Sequence, residues 1–261
     1  MCTDRYIDSH IHLDNIDRFH PPQVARLHLL GARFVSWAYC SLAESTRDLV
    51  AYLERQRQTI HRLRQRGIVC WYLTGIHPRN ITADLDPERI PALLQPYLDD
   101  PWCRGIGEIG LEHGTARECA VLRAQLSLAP ALVRRNKVFG VHSPRGNKQM
   151  MTAQLIDELA AVVRTGVRVV IDHCTAHTAA AVQAAGCWAG LTLSPEKLSA
   201  GDVGAIVTDT ACDTSRLLLN SDAGEHFHCR LQQFVRRQLA TYPDAQPLLL
   251  ANPQEFYAIH L

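Results

Sequence analysis

Along the chain, short apolar runs alternate with longer amphipathic stretches. The runs are rich in β-branched and aromatic residues: RYIDSH (5–10), ARFVSWAY (32–39), IVCWYLTGI (68–76), CRGIGEIGL (103–111), KVFGVHS (137–143), VRVVIDH (167–173), AGLTLS (189–194) and RLLLNSD (216–222). Between them the apolar positions take helical spacing, most clearly over 45–67, 87–100, 118–136, 152–166 and 228–242. Pro130 predicts a kink or a late start in the third of these. The strand runs are continuously apolar rather than alternating, as in a parallel sheet covered on both faces. Eight such strand–helix units in 261 residues predict an α/β fold, a single (β/α)8 TIM-type barrel domain over 1–261. An open doubly wound sheet is the competing layout. It would carry a glycine-rich loop after the first strand, where SHIHLDN stands instead.

In a barrel, chemistry sits at the C-terminal ends of strands. Here those ends carry His10 and His12, His77, Glu108, His142, Asp172 and His173, and Asp222. A carboxylate in a buried strand is costly unless something pairs with it, and a metal cation does so. Residues i and i+2 on a strand share a face, so His10 and His12 can grip one cation. The expected site is a pocket for two divalent metal ions. Glu108 bridges them, Asp222 binds one and accepts a proton from an activated water, and His142 and His173 complete the second.

Composition narrows the classes. Apolar residues make up 47% and charged residues 20%, and the formal net charge is +1, so nothing global demands a polyanionic partner. Nine cysteines without a CxxC pair argue against a disulfide framework and a zinc knuckle, and favour a reducing cytoplasm. No signal peptide and no run of about 20 apolar residues is visible, so no membrane partner is expected. Thirteen histidines are a different matter, because histidine is the commonest metal ligand.

Each candidate has an ordinary structural alternative. Glu108 can be a core carboxylate paired with arginine, Asp222 can cap the segment after its strand, and His77 can hydrogen-bond its own loop. Arg79 and Arg145 suit a substrate phosphate or carboxylate, and equally a surface ion pair. Glu112 and His113 open the loop after the fourth strand and can line the pocket. His177, His226 and His228, nearest the loops after the sixth and eighth strands, are either pocket walls or ordinary loop residues, and the second reading is favoured. The arginines at 55–66 read as a solvated helix face far from the pocket. Cys174 points away from His173 by strand alternation.

The motifs DSHIHLD (8–14), GIHPR (75–79), GEIGLE (107–112), QLSLAPALVRRNKVFGVHSPR (125–145), IDHC (171–174), NSDAG (220–224) and NPQEFY (252–257) occur in one order over essentially the whole chain. Together they resemble the TatD-type metal-dependent hydrolases of the amidohydrolase superfamily. The resemblance implies a barrel with a binuclear metal centre that hydrolyses its substrate with a metal-activated water. His10, His12, Glu108 and Asp222 would hold one ion, and Glu108, His142 and His173 the other. His77 would contact a substrate phosphate. The chain departs from the family at Arg79, where a second histidine is usual, and at Glu112, where aspartate is usual. It departs again at His173–His177 and Asn220–Gly224. The expected ligands stay and the pocket edge changes.

The resulting expectation is hydrolysis of a phosphodiester or phosphoester, a nuclease activity included. The partner is a small-molecule or nucleic-acid phosphoester, with two ions drawn from Zn, Mn, Mg, Fe or Co. The alternative is a small-molecule amide, ester or lactone hydrolase on the same metals. A non-catalytic metal-binding scaffold, or a nucleic-acid binder without chemistry, is the rival from another class.

Overall fold

The computed structural model describes residues 5–40 and 43–261. Its strands are β1 (Tyr6–Ile11), β2 (Ala32–Ser36), β3 (Cys70–Thr74), β4 (Cys103–Gly110), β5 (Val138–His142), β6 (Arg168–Ile171), β7 (Trp188–Thr192) and β8 (Leu217–Asn220). All pair in parallel, in chain order from β1 to β8. The last edge returns to the first. Asp222 N–H donates to His10 O (2.9 Å) and His12 N–H to Ala223 O (2.8 Å), while Ser9 Oγ donates to Leu219 O (2.9 Å). The result is a nearly closed (β/α)8 barrel, as the apolar runs predict. Each strand falls on the run expected for it, β1 and β7 passing it by one residue (Ile11 and Trp188), and burial is close to complete along each.

The outer layer is α1 (Leu13–Phe19), α2 (Pro21–Leu29), α3 (Thr46–Gln65), α4 (Ile90–Leu94), α5 (Ala116–Leu126), α6 (Ala129–Arg134), α7 (Lys148–Val163), α8 (Ala179–Ala184), α9 (Ala200–Thr208), α10 (Arg230–Arg237) and α11 (Ala251–Tyr257). In α3 the sequence signals are complete. Ser45 and Asp48 form a capping box, and Leu49, Tyr52, Leu53, Ile60 and Leu63 make the buried face. Its last arginines lie away from the pocket: Arg64 donates to Cys70 O, at the start of β3, and stacks on Trp102.

Two expected helices are broken. Over 87–100 only α4 is α-helical, flanked by 3-10 turns at Pro87–Arg89 and Gln95–Asp99, because Pro91 and Pro96 each remove a backbone donor. The 118–136 stretch splits into α5 and α6 at Ser127–Leu128, so Pro130 falls in the first turn of a new helix, where its missing N–H costs nothing.

Inside the barrel, Ile7, Val35, Leu73, Val170 and Leu218 pack with Trp37, and Phe256 and Tyr257 of α11 join them. Trp37 reaches across from the end of β2 to β5. A Cβ on Gly140 would lie 2.6 Å from the Trp37 ring, so the crossing needs glycine there. Trp37 Nε1–H donates to Ser9 O (3.1 Å), and the Tyr257 hydroxyl donates to the same carbonyl (2.7 Å). The indole is thus a fixed floor, and the candidate site is built on top of it.

Candidate metal centre

His10 lies flat on that floor, its ring 3.9 Å from Trp37 and nearly parallel to it. Its Nδ1–H donates to the Asp172 carboxylate. His12 Nδ1–H donates to Trp37 O (2.9 Å). A carbonyl can only accept, so the His12 proton sits on Nδ1 and the Nε2 lone pair faces the pocket. The same logic applies to His10, whose fully buried Nε2 has no hydrogen-bond partner. Around these two nitrogens stand Glu108 Oε2, 3.4 Å from His10 Nε2, and Asp222 Oδ1, 3.0 Å from His12 Nε2. The four ligand atoms lie within 4.8 Å of one another. A nitrogen–oxygen set with a buried, unpartnered lone pair fits a divalent transition ion.

Glu108 owes its place to an irregularity. The β4–β5 register shifts between Ile106 and Ile109, which turns the carboxylate to the strand end. Its other oxygen, Oε1, faces His142 Nδ1 (2.8 Å), His173 Nε2 (3.4 Å) and His77 Nε2 (3.7 Å). So one carboxylate stands between two groups of imidazoles. His142 Nε2 meets Glu112 (3.1 Å) on the far side, so the ring stands between two carboxylates with Nδ1 toward the pocket. His173 and Asp222 both take left-handed backbone conformations (φ 61 and 53), which turn their side chains inward just past their strands.

Charge follows geometry. Burial pushes the His10 imidazole down, but Glu108 and Asp172 outweigh it and raise its pKa to about 10, so Nε2 holds a proton that a bound cation would replace. Burial, and then Lys197, push His173 down to about 4. Burial opposes ionisation of Glu108 and Asp222, yet the histidines around Glu108, and Lys197 beside Asp222, hold both carboxyls well below the usual range. Burial drives His77 well below its ordinary value. His77 Nδ1 accepts from Arg79 N–H (3.1 Å), so the neutral ring carries its proton on Nε2, toward the pocket. His77 therefore makes the expected loop bond with one nitrogen and offers a donor with the other.

A family model described as TatD related DNase matches residues 7–224. The chain belongs to the TatD family. An uncharacterised metal-dependent hydrolase of Methanocaldococcus jannaschii is 27% identical over 224 residues, covering 84% of each chain. The crystal structure of a TatD-like protein from Archaeoglobus fulgidus superposes with a TM-score of 0.71 at 24% identity, covering 97% of this chain and 100% of that one. A 2,6-dihydroxybenzoate decarboxylase shares the fold alone, with a TM-score of 0.61 at 8% identity, covering 98% and 99%. The chain is a metal-dependent hydrolase of the TatD type, and its candidate ligand clusters are those just described.

The pocket of this TatD-family barrel is about 610 Å³. Arg79 and Arg145 both line it, and each is tied to a glutamate: Arg79 to Glu112 (2.7 Å), Arg145 to Glu196 at the exposed rim. The two departures from the family pattern, Arg79 and Glu112, are thus partners, and Glu112 also steadies His142. Glu112 reaches the site through these contacts, while His113 is exposed. His226 and His228 were expected as ordinary loop residues; the loop after β8 folds inward and both line the pocket, beside Phe227. His177 lies outside that lining, as expected. Cys174 is buried with Sγ on Ile171 O (3.2 Å) and takes no part.

Some residues escaped the sequence. Asp172, read only as a strand-end residue, orients His10 and itself accepts from Asn220 Nδ2 (2.8 Å). Asp8 accepts from Ser221 N–H (2.9 Å) and Ser221 Oγ (2.6 Å), which fixes the turn that presents Asp222; burial raises its pKa to about 7. Lys197 contacts both Asp222 and His173.

Proposed function

We propose that this chain, acting as one domain, hydrolyses a phosphoester or phosphodiester with divalent metal ions. His10, His12, Glu108 and Asp222 hold the first ion; Glu108, His142 and His173 form the second set. The supporting observation is the orientation of the imidazoles. Trp37 O and Asp172 each accept from Nδ1 of one imidazole, so His12 and His10 turn Nε2 toward Asp222 and Glu108, while His142 turns Nδ1 to Glu108 from the other side. When bound, such ions polarise a phosphoryl oxygen and make a water acidic near neutral pH.

The chain's own groups do the rest. His77 donates from Nε2 to a substrate oxygen. Asp222 takes a proton from the attacking water as its oxygen bonds to phosphorus, and returns it to the leaving oxygen as that P–O bond breaks. Arg79 and Arg145 position the anion from the rim. A membership described by the words "related DNase" supports a phosphodiester of nucleic acid among the substrates, beside small phosphoesters. Buried thiols at Cys70, Cys103, Cys174 and Cys187 suit a cytoplasmic setting, and no helix among the described residues is long and apolar enough to cross a membrane.

One observation favours a second reading. Because Glu112 and Glu196 already neutralise the two arginines, the rim is not a strong anion clamp, which suits a neutral amide, ester or lactone on the same ions. The test is chelation followed by add-back of Zn, Mn, Mg or Co, with phosphodiester, phosphomonoester, lactone and amide substrates, on the natural chain and on Glu108→Gln. The proposal expects metal-restored phosphoester turnover that the folded variant lacks. Turnover on carbonyl substrates alone selects the second reading. A fully active Glu108→Gln refutes both.

A further inference from the structure

Lys197 sits in the turn between β7 and α9. That turn is held at both sides, by the Leu193–Leu198 bridge and by the Ser199–Asp202 capping box. The side chain, mostly buried, points into the pocket and lines it. Its Nζ ion-pairs with Asp222 Oδ2 and lies 3.0 Å from His173 Nδ1 and 3.2 Å from His173 Nε2. The neighbouring Glu196 turns outward to Arg145.

An ammonium only donates. His173 Nδ1 also meets Thr192 Oγ1 (2.8 Å), and Nε2, 3.4 Å from Glu108 Oε1, is the ring nitrogen that faces the Glu108 and His142 side of the pocket. That is the atom a second ion would need, at a metal–nitrogen distance of about 2.0–2.1 Å. Lys197 stands within hydrogen-bonding distance of it. The charge balance agrees. Glu108, Asp172 and Asp222 face this centre as carboxylates, Glu112 is offset by Arg79, and Lys197 supplies one positive charge. One divalent ion brings that group to neutrality; a second overshoots it.

We propose that Lys197 acts as a built-in cation that disfavours the second metal. The chain then carries one tightly held ion in the His10, His12, Glu108, Asp222 set and fills the Glu108, His142, His173 set weakly. This rests on the ligand assignment proposed above. In the first set Lys197 meets only Asp222 Oδ2, while Oδ1 faces the two imidazoles, and no ammonium among the described residues contacts His10 Nε2. At about 4 Å, repulsion between a single and a double positive charge weakens binding by roughly 30-fold even at the dielectric constant of water.

The test is calorimetric titration of chelator-stripped protein with Zn²⁺, checked by elemental analysis after gel filtration, on the natural chain, Lys197→Met, Lys197→Gln and Lys197→Arg. Circular dichroism confirms each fold, and two neutral variants guard against one failing to fold. The natural chain and Lys197→Arg should bind one tight equivalent, with a second at least about 30-fold weaker. Lys197→Met and Lys197→Gln should bind two tight equivalents. Two equally tight ions in the natural chain, or one in the folded neutral variants, would overturn the role of Lys197 and leave the hydrolase reading standing. No tight ion in any of the proteins would overturn the metal centre itself.

Discussion

Replacing Asp172 by asparagine is the sharpest probe of how the centre is held. Asp172 Oδ2 accepts from His10 Nδ1, and Oδ1 accepts from Asn220 Nδ2 at 2.8 Å and from Thr192 Oγ1 at 3.5 Å. Asparagine keeps the shape but has one oxygen and one NH₂. With the oxygen toward His10, its NH₂ meets the Asn220 NH₂, donor against donor, and turning the Asn220 amide only moves that NH₂ to the buried position where its Oδ1 has no partner. Reversed, its NH₂ meets His10 Nδ1 and drives the imidazole proton to Nε2, the atom aimed at the ligand cluster. Either way one buried hydrogen bond is lost, at about 1–3 kcal/mol. Loss of such a supporting carboxylate lowers metal affinity by about 10–100-fold, or roughly 1.4–2.7 kcal/mol. Competition between the stripped protein and a chromophoric chelator for Zn²⁺ measures this directly. A Zn²⁺ affinity within about two-fold of the natural chain would refute the assignment of Asp172 as the group that orients His10.

Other perturbations test neighbouring parts. In Gly190→Ala a new Cβ would lie 2.1 Å from Asp172 Oδ1 and 3.0 Å from its Cα, so Asp172 must move. Both Zn²⁺ affinity and stability should fall, the latter by about 1–3 kcal/mol in urea melts. Glu118 Oε2 accepts the N–H groups of Glu112, His113 and Gly114, each at 2.9 Å. Glu118→Ala should speed hydrogen exchange of those three amides by at least about ten-fold and cost roughly 2–4 kcal/mol. Lys148 tests pH. Burial lowers its pKa from 10.5 to about 8. Between those values the unfolded chain binds the proton and the folded chain does not, so this group favours folding more as pH rises and less as pH falls through 8. Relative to Lys148→Met, the natural chain should gain about 1–3 kcal/mol from pH 8 to 10.5 in paired urea melts. A flat difference would contradict the burial argument.

Much of the centre was legible because it obeys local rules. Strand ends of a barrel point at one place, so His10, His12, His77, Glu108, His142, His173 and Asp222 could be gathered without coordinates. Arg79 was legible as a pocket residue but not as the partner of Glu112, because that pair spans two loops. The inward turn of Gly224–His228 was not legible, since loop direction after β8 is set by packing against the rest of the barrel mouth and not by periodicity.

The sequence by itself determined the strands, their parallel order and the end of the barrel where chemistry collects. These follow from the spacing of apolar residues and from the direction every strand shares. Only the tertiary structure decided which groups support the ligands. His10 and Asp172 are 162 residues apart, and Lys197 meets Asp222 only because the barrel brings the turn after β7 beside the end of β8. Contacts of that kind depend on strand register and side-chain rotamers to within an ångström, and pattern along the chain carries neither.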